Sequence, residues 1–331
     1  MTLRALPRAF VPPCLRAFFS VCLPAFLAFV VLSCERPTPA PPQPHAATRP
    51  TLRIAALSPA IAVILRDLGH ADAIVARHGF DAWSNQALPV AGDQQGFDYE
   101  TLLRVNPTHV LVQWGGGGGG GGGGGRDLPA RLSQLARERG WLVQDLPLLT
   151  LADIERAAAS LHTLTTPNAL AWTDTPLAAR MKAAWAPRTP SLAPAGRVLL
   201  LYGTNPPTAI GPGSFHHQLL ERLGGTPAIT SGSPFMQLDV EDVLRIAPDC
   251  IVLVRPADAT PASSTPGPQW RIVPPEEFPA TLGPLAKHPI PAITQRRVGI
   301  LTDPLAAIPG TNLITLADDL GALLEAISGP G

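Results

Sequence analysis

Charge is scarce in this chain of 331 residues: Asp, Glu, Lys and Arg make up 15 % of it, against about 25 % in a typical soluble domain. The 25 basic and 25 acidic residues cancel. Without residues 1–33, which carry Arg4, Arg8 and Arg16 and no acid, the balance is 22 against 25, a net of −3. A chain with no basic surplus gives no electrostatic footing to nucleic acid, so no such partner is expected. Cysteine is equally rare. Cys14 and Cys22 lie in an amino-terminal apolar segment, Cys34 ends it, and Cys250 has no obvious partner, which excludes a disulfide scaffold and a zinc pattern. Catalytic signatures are missing too. Ser214 sits in Gly213-Ser214-Phe215-His216, which is not a Gly-x-Ser-x-Gly elbow, and neither HExxH nor a paired glycine-rich nucleotide fingerprint occurs. Apolar residues, by contrast, reach 46 %, which suffices for a sizeable core and excludes global disorder.

The first 33 residues read as an export signal, with an uncleaved membrane anchor as the alternative, and either places the globule outside the cytoplasm. Three arginines lead into the apolar run 17–32, whose 16 residues with Pro24 in the middle are short for a bilayer span of about 20. Val31-Leu32-Ser33-Cys34 closes the run in the manner of a bacterial lipobox, which makes Cys34 the expected site of lipidation and the first residue of the mature protein. The arginines are not adjacent, so the general secretion route fits better than the twin-arginine one. Residues 34–50 follow as a tether: 35–50 holds six prolines, a composition that favours extended polyproline geometry at about 3.1 Å per residue.

From Thr51 onward short apolar strands alternate with helical stretches. Strands are predicted at 52–56, 73–76, 109–113 and 197–202. Helices are predicted from Pro59 to Leu68, over 99–105 and over 313–327. Such alternation predicts α/β architecture with mainly parallel strands. Its most informative feature is a repeat: residues 98–112 (DYETLLRVNPTHVLV) recur as 239–253 (DVEDVLRIAPDCIVL) at a constant offset of 141. Each copy reads as an Asp-capped helix with acid in its first turn, a proline stop and a strand. Two similarly built lobes follow, 51–150 and 195–327, with a helical connector over 151–194 rich in Ala and Leu. The eleven glycines 115–125 are followed by Arg126-Asp127 rather than Lys-Ser/Thr, so they read as a low-complexity insertion and not as a phosphate loop.

With these segments in view, the chain resembles the substrate-binding proteins of ABC importers for cobalamin and iron–siderophore complexes. The resemblance is carried by 53–60 (RIAALSPA), 65–69 (LRDLG) and 98–112 in the first lobe, and by 200–207 (LLYGTNPP), 211–225 and 237–252 in the second. It departs from the family at Ala62-Val63, where a Thr-Glu pair is common, and at the glycine run. The resemblance implies two α/β lobes joined by a single long connecting helix, with a ligand cleft between them and no enzymatic activity. The solute it implies is a small metal chelate, an iron–siderophore complex, haem or a corrinoid, and no resident cofactor is expected. By position in the family pattern, Phe80, Phe97, Trp114, Phe235 and Asp303 are expected to line the cleft, with Trp114 foremost because it ends a strand where a loop begins. Thr208 and Ala307 stand where cobalamin binders can carry an aromatic and an arginine. Glu100 and Glu241, equivalent in the two repeats, are implied to dock an ABC permease that works with its ATPase. A tethered sensor or ligand store of the same fold is the alternative, and an extracytoplasmic enzyme a weaker one.

The eight histidines offer no evident metal set. His78 follows a first-lobe strand and can supply an axial ligand to haem, but His78, His216 and His217 all read as solvated surface. The amino terminus yields a direct test. Mass spectrometry of protein from its native host is expected to find a chain beginning at lipid-modified Cys34, and retention of residues 1–33 would overturn the lipobox reading.

Overall fold

The computed structural model describes residues 51–114, 127–168, 170–257 and 267–329. The signal segment, the tether with Cys34, and the glycine run lie outside the described residues. The described residues form one compact unit.

The first lobe is built on a six-stranded sheet: β1 (Ile54–Leu57), β2 (Ile74–His78), β3 (Val90–Asp93), β4 (Gly96–Phe97), β5 (His109–Val112) and β6 (Leu142–Asp145), in the order β4-β3-β2-β1-β5-β6. Only the β3–β4 pair is antiparallel. β1 lies near the middle and is buried along its whole length, which is why its four residues are continuously apolar rather than alternating. Ser58 ends the strand and caps the helix Pro59–Asp67, its hydroxyl accepting from the Ala60 amide at 3.2 Å.

The second lobe holds β7 (Arg197–Thr204), β8 (Pro207–Ile210), β9 (Thr226–Pro227), β10 (Phe235–Gln237), β11 (Cys250–Val254), β12 (Trp270–Ile272) and β13 (Val298–Leu301). Their order is β10-β8-β7-β11-β13-β12, with β9 also paired to β7. Its centre is parallel, as expected from the sequence, but β8 and β12 run against it, and β10, antiparallel to β8, returns to the direction of the centre. The reason at β7–β8 is chain length: two turn residues, Asn205 and Pro206, leave room only for a hairpin.

The sequence repeat is a structural repeat. Helices Tyr99–Val105 and Val240–Ile246 are capped by Asp98 and Asp239, which accept from the amides of Thr101 (3.0 Å) and Asp242 (2.7 Å). Both end in a left-handed residue, Asn106 (φ 43°) and Ala247 (φ 44°), before the proline and the strand. The likeness extends beyond the matching sequence. Arg53, ahead of β1, donates through Nη2 to the Val105 carbonyl at 2.6 Å, and Arg197, opening β7, donates through Nη2 to the Ala247 carbonyl at 2.6 Å. The amides of the same arginines donate to Thr108 Oγ1 and Asp249 Oδ2, which are themselves equivalent in the repeat.

The connector begins with the helix Leu151–Thr165, closed at its start by a Thr150–Asp153 capping box. Its 15 residues span roughly 22 Å. It ends ahead of Pro167, and a second, shorter helix, Pro176–Ala184, follows within the connector and packs against the carboxyl-terminal helix Leu313–Ser328. The long helix touches both lobes, packing on Pro59–Asp67 of the first and Phe215–Arg222 of the second. Ile61 and Leu65, Ile154 and Leu161, and Leu219 and Leu316 therefore belong to one hydrophobic core that runs through both lobes. Polar ties reinforce it: Leu151 N donates to Gln218 Oε1 at 3.0 Å, and Thr311 Oγ1 donates to Asp67 Oδ2 at 2.6 Å.

Candidate functional site

In open α/β sheets, ligands bind beyond the carboxyl ends of the parallel strands. In the first lobe, that edge carries an aromatic surface. Trp114 follows β5, its amide donating to Asp145 Oδ1 at 2.8 Å and its indole Nε1 to the Asp127 carbonyl at 3.0 Å, so both ends of the residue are fixed. Phe97, on β4, lies against it with ring centroids 5.2 Å apart and planes tilted by 34°. The β3–β4 hairpin presents Phe97 here because Asp93 Oδ1 accepts from the amides of Gln95 and Gly96, closing the turn. Two adjoining cavities open on this wall, of about 640 Å³ and 230 Å³, and they share Gly92, Asp93, Phe97 and Trp114. His78 lines the smaller one. Phe80 stands 5.7 Å from the His78 ring and is 63 % exposed.

The second lobe carries a second aromatic group. Phe235, on β10, lies 5.8 Å from the ring of Tyr202, near the end of β7. Tyr202 meets His216 edge-on, with the hydroxyl 3.2 Å from Nδ1, and His216 Nε2 lies 2.7 Å from the Ala306 carbonyl. A carbonyl only accepts, so Nε2 carries the proton and Nδ1 accepts from the Tyr202 hydroxyl. Burial pushes the Tyr202 phenol well above its ordinary value and pulls His216 down to about 4, so both are neutral near pH 7. Asp303 lies two residues beyond β13 and is buried. Its Oδ1 accepts from the Leu305 amide at 2.7 Å, and burial, which that hydrogen bond partly offsets, raises its pKa.

Trp114 and Phe97 are thus brought together, with Phe80 beside His78 on the same lobe, while Phe235 and Asp303 lie on the other. The expectation of solvated histidines fails at His216 and His217, which are 2 % and 5 % exposed. Within the helix Phe215–Arg222 both rings are turned inward, and each meets a backbone carbonyl, Ala306 O for His216 and Ile229 O for His217. Glu100 and Glu241 are exposed in the first turns of the two repeat helices. Among the described residues neither carboxylate is hydrogen-bonded or ion-paired, because Asp98 and Asp239 do the capping. Sequence reasoning missed Tyr202 and Asp93. Tyr202 was signalled by its place directly after the apolar run of a central strand. Among the described residues no three His, Cys, Asp or Glu side chains are grouped to hold a metal ion, and Cys250 is free and buried, its thiol pushed up to about 12 by burial.

No protein-family model matches the chain, and no curated protein sequence matches it. Solved structures do. The periplasmic heme-binding protein HutB of Vibrio cholerae superposes with a TM-score of 0.60 at 17 % identity, over 83 % of this chain and 99 % of that one. The periplasmic vitamin B12-binding protein of the same organism gives 0.58 at 18 %, over 84 % and 98 %. A periplasmic heme-binding protein from Roseiflexus sp. RS-1 gives 0.58 at 20 %, over 84 % and 100 %. The chain has the two-lobed fold of the periplasmic substrate-binding proteins.

The buried His216 makes stability depend on pH. Its folded pKa lies below the unfolded value of about 6.5, so the unfolded chain binds a proton first as pH falls. Its contribution is complete above about 6.5 and is lost on acidification toward about 4, at up to about 1.4 kcal/mol per pH unit. Urea unfolding at pH 7.5 and 5.0 is expected to show this loss, and His216→Gln is expected to flatten it. An unchanged slope in the variant would show that His216 does not titrate in this way.

Proposed function

We propose that the protein is an extracytoplasmic solute-binding lipoprotein, tethered through Cys34. It captures a small metal chelate, an iron–siderophore complex, haem or a corrinoid, and delivers it to an ABC permease with its ATPase. The observation that carries this reading is an aromatic pair on each lobe, Phe97–Trp114 at the carboxyl ends of the first sheet and Tyr202–Phe235 on the second. Flat, partly apolar faces beside a few fixed polar groups suit a large chelate better than a sugar or an amino acid. The vitamin B12- and heme-binding proteins that share the fold support the same class of solute. Trp114, Phe97, Phe80, Phe235 and Asp303 are the proposed ligand contacts. Binding between lobes that share one core calls for little closure, so capture selects a docked state with modest movement.

A thermal-shift screen of metal chelates tests this reading, since a ligand at 100 times its dissociation constant adds about 2.7 kcal/mol of stability. Trp114→Ala is expected to weaken the ligand so found by about 1–3 kcal/mol without unfolding the protein. Unchanged affinity would remove Trp114 from the site. Glu100 and Glu241 are proposed to meet the two permease subunits, one lobe to each. Reversing both to Lys is expected to leave chelate affinity nearly unchanged while abolishing uptake, and the docking rate of the unaltered protein should fall with added salt. Normal uptake by the double variant would refute docking, whereas lost chelate binding would move the glutamates into the cleft or the fold.

A further inference from the structure

The repeat allows the charges at the amino ends of the two sheets to be compared residue by residue. In the second lobe, Arg197 Nε lies 3.7 Å from Asp249 Oδ2, and Arg245 Nη1 lies 2.8 Å from Asp242 Oδ1. Each arginine there has an acid. The 141-residue offset carries Asp242 onto Thr101, Asp249 onto Thr108 and Arg245 onto Arg104. Arg53 takes the place of Arg197 ahead of the central strand. In the first lobe, threonine therefore stands where the second lobe has both acids. Arg104 Nη2 donates to Thr101 Oγ1 at 2.9 Å, and Arg53 donates to the Val105 and Asn106 carbonyls. Both arginines are exposed, and neither has an ion pair among the described residues.

More positive charge gathers on the same edge. β1, β5 and β6 start there in register, with Ile54 opposite His109 and His109 opposite Leu142. The helix Ala130–Arg139 leads into β6 and ends in Arg137 and Arg139, both exposed and without an ion pair among the described residues. Glu138 lies between them and accepts from Gln134 Nε2 at 2.7 Å, and Asp72 stands to one side, ahead of β2. Leu142 opens β6, at the margin of the sheet, and is 63 % exposed. The tether joins the globule at this edge, since Thr51 is two residues ahead of Arg53. It adds Arg36 and Arg49 against Glu35.

We infer that this edge of the first lobe rests on the anionic headgroups of the membrane that holds the tether. Arginines near such a surface each favour contact by about fivefold, and Leu142 meets the headgroup region as an apolar contact. Residues 35–50 confine the lobe to within roughly 50 Å of the bilayer, so the patch acts at high local concentration and needs little affinity of its own. β1, β5 and β6 run away from this edge. The Trp114 surface beyond their carboxyl ends therefore points away from the bilayer and stays open to solute. Glu100 lies at the far end of the helix whose last turn meets Arg53, so delivery requires the lobe to lift off. The inference rests on the lipoprotein reading proposed above.

The test uses the full chain from its native host, with a fluorophore on Leu142→Cys. Cys250 is buried, and peptide mapping confirms the position of the label. The protein is presented to vesicles of phosphatidylcholine alone and to vesicles with about 25 mol% phosphatidylglycerol. On the anionic vesicles, acrylamide quenching of the label is expected to fall about twofold or more, and to recover in about 0.5 M salt. Arg137→Glu with Arg139→Glu is expected to abolish this protection. Thr108→Asp, which gives Arg53 the acid that Arg197 has, is expected to reduce it. Lys287→Glu with Arg296→Glu makes the same change in net charge at exposed second-lobe positions, and is expected to leave it intact. Equal quenching on the two kinds of vesicle, or equal loss in the second-lobe variant, would overturn the inference. Firm insertion into both kinds with an unprotected label would leave the lipid anchor standing alone. Protein that ignores neutral vesicles but is protected on anionic ones would remove the anchor and keep this surface. Association with neither removes both.

Discussion

One helix packed against two lobes fixes the relation between the two halves of this protein. Leu151–Thr165 contributes Ile154, Ala157, Ala158 and Leu161 to a hydrophobic core that also takes in Ile61 and Leu65 of the first lobe and Leu219 and Leu220 of the second. Burying a Leu or Ile side chain stabilises by about 1.5–3 kcal/mol, so the helix cannot leave either lobe without exposing several such groups. The two strand edges that carry the aromatic clusters are therefore set by packing, and not by a flexible linker.

Much of this arrangement was legible in the sequence. The repeat at offset 141 marked the two lobes because each copy carries its own punctuation, an Asp cap and a Pro stop, and the helix predicted over 99–105 is observed as Tyr99–Val105. The buried β1 and the cap at Ser58 were readable from the apolar run and from Pro59. The short pieces were not. β3 and β4, four residues and two, are too brief for any periodicity, yet their turn places both Asp93 and Phe97 at the site. His216 and His217 misled for a related reason: adjacent polar residues suggest surface, and only tertiary structure supplies the carbonyls of Ala306 and Ile229 that let both be buried. The antiparallel β8 of the second sheet likewise depends on the hairpin at Asn205-Pro206, which strand–helix counting ignores.

The two aromatic clusters are held differently. On the first lobe, Trp114 is fixed through its amide and indole N–H, which satisfies its polar atoms. On the second, Tyr202 is held by its hydroxyl, through a neutral histidine whose other nitrogen is fixed to the backbone. A phenol in such a chain keeps its proton, because burial opposes its charge and the adjacent imidazole is a poor base. Each lobe thus presents an uncharged aromatic face.

The single crossing from one sheet to the other has a mechanical consequence. The last tie to the first sheet is the Leu146 amide on the Val112 carbonyl at 2.8 Å, and the first tie to the second lobe is the Leu151 amide on Gln218. Between them lie residues 147–150, of which Pro147 is rotationally stiff and Leu148 is wholly buried. A segment so short and so well anchored acts as a leaf spring and not as a hinge. The lobes can flex about it by small elastic amounts, but they have no loose joint on which to swing. Little association free energy is then consumed in ordering the protein, and encounter with a solute meets a receptor already in its working shape.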